Sequence, residues 1–228
     1  MKPYRWVGPL VAGVMACMGL SAAEGVMITY YFGGQVTTIT DSHQLLQGSI
    51  QEGDSWSGTY TIDSETPDYY LNDPTLGKYF SEAPSFVVIV GAVTIIPSHS
   101  YIYIGDRTDG DGFTIAPYGR SQSTGLPPGV DIGVEWGLGL YDPTGTANQG
   151  DDLPLTPLPL ELYSDRGILV EGYKWDIGGF RVNGTFDWLL VEVVPEPGAM
   201  ALGICAITVF SAHRWSRSSR KLELTSKP

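Results

Sequence analysis

Residues 26–40 read VMITYYF, Gly33-Gly34, QVTTIT. Both runs are rich in β-branched and aromatic residues, which suit a pleated, half-buried strand. A Gly-Gly pair between two such runs is the pattern of a tight hairpin turn. The same alternation recurs downstream. Ser55–Ile62 (SWSGTYTI) places Trp56, Gly58, Tyr60 and Ile62 on one face, with Ser and Thr on the other. Ser85–Val90 is a continuous apolar run, the pattern of a strand covered on both faces. Val93–Ile96, Tyr101–Ile104, Gly112–Ala116 and Ile132–Leu140 follow at strand-like spacing. Phe180–Val182 and Thr185–Val194 make a second expected hairpin, turning at Asn183-Gly184. Between residues 24 and 194 no helical period holds for three turns, and only Leu158–Tyr163 could form a short helix between its prolines. The expected fold is therefore all-β: an antiparallel two-sheet β-sandwich, jelly-roll or lectin-like, in preference to a closed barrel.

Charge divides the chain into three parts. The whole has 228 residues and a net charge of −12, but residues 24–194 hold 23 acidic and six basic residues, a net of −17. Residues 1–23 carry two bases and no acid, and residues 195–228 carry five bases and two acids. A body this acidic repels phosphate backbones, which argues against nucleic acid as a partner. Cys17 and Cys205, the only cysteines, fall in the two terminal segments. The body therefore has no disulfide framework, Cys-ligated zinc or cysteine nucleophile.

The first 23 residues read as a secretory signal peptide. Lys2 and Arg5 precede the apolar Val7–Leu20, and Ser21-Ala22-Ala23 is a small-residue site for signal peptidase, giving a mature chain that starts at Glu24. Val14-Met15-Ala16-Cys17 offers a less favoured lipoprotein-type alternative. At the other end, residues 194–198 (Val194-Pro195-Glu196-Pro197-Gly198) are followed by the uncharged, apolar 198–212 and a tail, 213–228, with Arg214, Arg217, Arg220 and Lys221. Fifteen residues of helix span only ~22 Å against ~30 Å of hydrocarbon, a deficit that Arg214 snorkelling and a Trp215 interface anchor would reduce. A single C-terminal transmembrane helix over 198–212 is expected, with the basic tail inside and the body (24–193) outside.

This three-part terminus resembles the PEP-CTERM sorting signal, on the strength of Pro195-Glu196-Pro197, the apolar stretch and the arginine cluster. The resemblance implies a precursor held in the inner membrane with a periplasmic body. It implies recognition at Val194, Pro195, Glu196 and Pro197 by an exosortase, and release to the cell envelope or extracellular matrix in bacteria that make exopolysaccharide. Gly48–Ile62 with Asp63, and Glu65-Thr66-Pro67-Asp68, are similar to a strand-then-turn segment of the β-rich ectodomains such proteins carry, which implies no activity.

Two groups of candidate site residues remain. Asp106, Asp109 and Asp111 lie in one turn with Gly110 and Gly112 and offer hard oxygen ligands of the kind calcium takes, although the regular loop order is absent and Arg107 opposes it. A solvated polar turn explains them as well, and Asp151-Asp152 reads as a solvated pair. Tyr69-Tyr70 with Asp73, and Trp175 with Asp176, combine an aromatic face with hydrogen-bonding groups, the pairing that sugar recognition uses. The long connections 64–83 and 119–130 and the Pro-rich 142–159 are where any binding would sit. His43 and His99 stand in no catalytic motif, and no G-x-S-x-G, H-E-x-x-H or phosphate loop is present. Asn183-Gly184-Thr185 matches a glycosylation sequon, but reads more simply as a turn. The expected function is an exported, non-catalytic envelope or matrix protein associated with exopolysaccharide. The alternative is a secreted carbohydrate-binding, lectin-like domain or carbohydrate-active enzyme.

Overall fold

Residues 26–40 do not turn at Gly33-Gly34. They form one 15-residue strand, β1 (Val26–Thr40). The computed structural model describes residues 25–81, 85–133, 136–148 and 150–195. After β1 come β2 (Ser55–Asp63), β3 (Leu76–Ser81), β4 (Phe86–Val90), β5 (Val93–Gly105) and β6 (Asp111–Thr124). They are followed by β7 (Asp131–Ile132), β8 (Gly137–Asp142), a 3₁₀ turn at Leu160–Leu162, β9 (Asp165–Lys174), β10 (Gly178–Thr185) and β11 (Trp188–Pro195).

The pairings close a ring of eight antiparallel strands, β1-β2-β4-β5-β6-β8-β9-β10 and back to β1. Strand β3 adds to β5, β7 to β9 and β11 to β1. The expected two-sheet sandwich is thus replaced by a closed barrel, and the reason lies in the glycines read as turns. Met27–Gln35 pairs with β2 while Val36–Thr40 pairs with β10, so β1 must run straight through to join the two ends of the sheet. A Cβ on Gly34 would lie 2.0 Å from the Thr185 carbonyl oxygen, and one on Gly184 would lie 2.6 Å from that of Gln35. These glycines allow backbones to approach at the closing seam, where any side chain would force them apart. Asn183-Gly184 likewise lies inside β10, and the hairpin turn falls instead between β9 and β10, where Asp176 adopts a positive φ of 64°.

Eight strands leave an interior that side chains fill. Ile28, Tyr30, Phe32, Tyr60, Phe86, Val88, Ile102, Phe113, Ile115, Val170 and Val182 are fully buried. Phe32 sits among Trp56, Phe86 and Phe186 at ring separations of 6.2, 6.0 and 6.2 Å. Such broad rings fit because some opposing positions are glycine: Phe32 faces Gly58 across β1–β2, and Phe180 faces Gly172 across β9–β10. Strand β4, read as covered on both faces, has Phe86, Val88 and Val90 inside, while Ile89 is exposed.

The Pro-rich connection after β8, expected as a binding loop, is tied down on the barrel. The hydroxyls of Tyr30 and Tyr79 donate to the carbonyls of Pro154 and Asp151, each at 2.9 Å. Asn148 donates to the Gly105 and Gly112 carbonyls and accepts from Tyr163. Residues Met27–Val194 make one compact unit. Among the described residues no helix is long and apolar enough to cross a membrane. The expected signal peptide (1–23) and the expected transmembrane helix (198–212), with Glu196, Pro197 and the tail bearing Arg214, Arg217, Arg220 and Lys221, lie outside the described residues. Val194 and Pro195 end β11.

Candidate functional site

Because the interior is filled, chemistry available to a partner lies on the outer wall. Side chains at alternate positions of a strand share a face, and the registers of β3, β5, β6, β8 and β9 align three outward rows. One row is Leu76, Gly105, Gly112, Tyr141 and Asp165, of which Leu76 and Gly105 are buried. The next is Lys78, Tyr103, Thr114, Gly139 and Gly167. The third begins with Phe80, Tyr101 and Ala116 on β3, β5 and β6 and continues with Gly137 and Leu169 on β8 and β9.

The β3–β5 side of this face is aromatic. The Tyr69 ring lies 5.3 Å from Tyr70 and 5.7 Å from Phe80, which lies 5.9 Å from Tyr101 and 6.0 Å from Tyr118. His99 extends the strip beyond Tyr118 at 6.4 Å. Tyr69 is 67% and Tyr118 61% exposed, so the rings face solvent. The Lys78 ammonium sits 4.3 Å from the Tyr101 ring centroid and 5.0 Å from that of Phe80, within cation–π range. The β6–β9 side is a trough of about 790 Å³ floored by Gly105, Gly112, Gly137, Gly139 and Gly167. Tyr103, Tyr141, Arg107 and Arg166 also line it; the Arg166 guanidinium donates to the Leu160 carbonyl at 3.1 Å, and Arg107 stands with Asp106 and Asp109.

Tyr69 and Tyr70 thus belong to a continuous surface. The Asp73 carboxylate instead accepts from the backbone N–H and hydroxyl of Thr75, which hold its pKa below the usual carboxylate value. Trp175 is 75% exposed but belongs to a separate patch on the β9–β10 turn, with Tyr173 at 5.4 Å. Asp176 is exposed beside it. Phe80, Tyr101, Tyr103, Tyr118 and Lys78 stand in no sequence motif. Their signal is the segment Tyr101-Ile102-Tyr103-Ile104-Gly105, where both faces of a strand carry large residues and one of them must face outward.

Asp106, Asp109 and Asp111 do not converge. Asp111 is fully buried and accepts from the backbone N–H groups of Arg107 at 3.2 Å and Asn148 at 2.8 Å. Asp106 and Asp109 remain at the surface with Thr75 and Arg107. Among the described residues no group of three or more His, Cys, Asp or Glu is placed to hold a metal ion. Asp142, also buried, accepts from the N–H groups of Thr144, Thr146 and Ala147 and from both threonine hydroxyls. The bonds from Thr146 and Thr144 draw its pKa down to about 2. Both buried carboxylates therefore fold loops. No protein-family model, curated protein or solved structure matches the chain, so the reading of the outer face rests on its own geometry.

Proposed function

We propose that this protein is an exported, non-catalytic component of the cell envelope or extracellular matrix. In this reading the N-terminal segment directs export. The Val194-Pro195-Glu196-Pro197 motif, the apolar stretch and the basic tail direct exosortase processing of an inner-membrane precursor, and the barrel is the working part, in contact with exopolysaccharide. The observation that carries the last step is the solvent-facing strip Tyr69, Tyr70, Phe80 and Tyr118 on a barrel whose interior is full. Exposed rings in line suit the apolar faces of linked sugars. The acids nearest the strip favour binding over catalysis. Asp68 accepts from the backbone N–H groups of Tyr70 and Lys78, and Asp73 from Thr75, so both are engaged in holding the loop.

The test is fractionation of the source cells with mass spectrometry of both termini of the mature chain. The expected product begins at Glu24 and ends near Pro195-Glu196-Pro197, in the envelope or medium. Full-length chain found only in the cytoplasm would overturn the reading.

A further inference from the structure

The barrel is complete without its last strand. The ring of eight strands closes from β10 back to β1, and among the described residues β11 (Trp188–Pro195) pairs with β1 alone. Phe186, fully buried against Phe32 and Trp56, is the last aromatic ring the interior takes up. Within β11 only Leu189 is buried among the described residues. Leu190 is 60%, Val193 38% and Val194 41% exposed, Glu192 is exposed and Val191 half-buried. Two clasps lie along the strand. The Trp188 ring rests on Gly33, where a Cβ would come within 2.7 Å of it. Further out, the Tyr31 hydroxyl donates to the Glu192 carboxylate at 2.8 Å, the one side-chain hydrogen bond of β11 among the described residues.

Beyond Leu189 the strand therefore lacks the burial that fixes the ring. Segments with few buried apolar contacts open by themselves, at a lower cost than unfolding the whole. Pro195, at the strand's end, has no N–H to give to a ladder. The same end carries the start of Val194-Pro195-Glu196-Pro197, and no linker separates strand from motif, because Val194 belongs to both. An enzyme that acts on a peptide bond takes its substrate as an extended segment. In β11 one backbone edge of that segment is occupied by β1. Where opening is fast, cleavage of a folded chain follows the population of the opened segment.

We infer that residues 190–194 form a strap that opens from β1 while the eight-strand ring stays closed, and that the open strap is the form in which the motif reaches its processing enzyme. The Tyr31–Glu192 bond holds the strap shut and so sets the rate of processing. The inference rests on the processing reading above and adds its regulation. The barrel stays folded throughout, and the motif is withheld for as long as the strap lies on β1.

The test uses the full chain, purified in detergent, with native-state hydrogen exchange. The amides of residues 190–194 are expected to exchange at least ~100-fold faster than those of the ring strands β5 and β6. Tyr31→Phe keeps the ring and removes the hydroxyl. It is expected to speed exchange at 190–194 by about threefold and to leave the thermal midpoint within ~2 °C. In the source cells, C-terminal processing followed by mass spectrometry should speed up by the same factor. A flexible Gly-Ser spacer inserted between Val193 and Val194 frees the motif from the strand. With it, processing is expected to be faster and no longer to respond to Tyr31→Phe. Exchange of 190–194 at the rate of the ring strands would overturn the strap and leave the processing reading intact. So would a processing rate that Tyr31→Phe does not move in the chain without the spacer. No C-terminal processing in either the wild type or the spacer chain would overturn the processing reading, and with it the strap's role, whatever the exchange shows.

Discussion

Trp56→Phe tests the closure of the barrel directly. Trp56 is 2% exposed and lies on β2, near the start of the body. Its indole N–H donates to the Thr185 carbonyl at 2.7 Å, 129 residues along the chain, and its ring lies 5.8 Å from Phe186 and 6.2 Å from Phe32. In a sandwich with a hairpin at Gly33-Gly34 there is no reason for these groups to meet. In the barrel they form the seam. Phenylalanine keeps most of the aromatic contact but leaves the carbonyl without its donor, at a cost of ~1–3 kcal/mol. The smaller ring leaves a void as well, adding ~1 kcal/mol on the scale of one or two missing core methylenes. The sum is ~2–4 kcal/mol, which for a body of this size lowers the thermal midpoint by roughly 5–15 °C.

The assay is thermal and urea unfolding of the wild type, Trp56→Phe and Trp175→Phe, followed by circular dichroism. Trp175 is 75% exposed, so its replacement is expected to change stability by less than ~0.5 kcal/mol. If Trp56→Phe unfolds with the same midpoint as Trp175→Phe, the Trp56–Thr185 link is not made and the closed ring is wrong.

Other contacts set further outcomes. Gly34→Ala is expected to prevent closure and yield poorly folded protein in expression trials, because its Cβ would sit 2.0 Å from the Thr185 carbonyl oxygen. Tyr30→Phe, which loses the bond to Pro154, should cost ~0.5–1.5 kcal/mol in urea unfolding. Tyr60→Phe should be neutral or stabilising in the same assay. The buried Tyr60 hydroxyl has Ser81 and Ser100 near enough to temper its raised pKa, but none in hydrogen-bond geometry. Asp142 sets the acid limb: its pKa falls from 3.8 in the unfolded chain to about 2 in the barrel, so its contribution is complete above pH 4 and lost as pH falls toward 2. Midpoints measured from pH 5 to 2 should drop for the wild type, and drop less for Asp142→Asn.

The strands were legible from period-two alternation, and β2 is the clearest case. Trp56, Tyr60 and Ile62 are buried where the pattern put them. What could not be read was the closure, because a glycine pair has the same composition whether it turns a chain or lets two chains touch. Gly33-Gly34 and Asn183-Gly184 both look like hairpin turns locally. They become seam positions only when Thr185 and Gln35 are brought against them from across the barrel. The same limit applied to the site. Tyr69 and Tyr70 were visible as a loop pair, but Phe80, Tyr101 and Tyr118 join them only through the β3–β5–β6 registers.

That ambiguity also makes the glycines informative once the fold is known. A barrel built around Trp, Tyr and Phe needs glycine wherever a ring or a carbonyl presses on the opposing strand, and Gly34, Gly58, Gly172 and Gly184 answer that need. Selection for stability alone would place β-branched residues at the remaining outward strand positions. Gly112 and Gly139 depart from that expectation on the neighbouring strands β6 and β8, where a Cβ would meet nothing closer than 3.8 Å. The outer wall, rather than the filled interior, is therefore where this barrel leaves its sheet backbone and its exposed rings within reach of solvent.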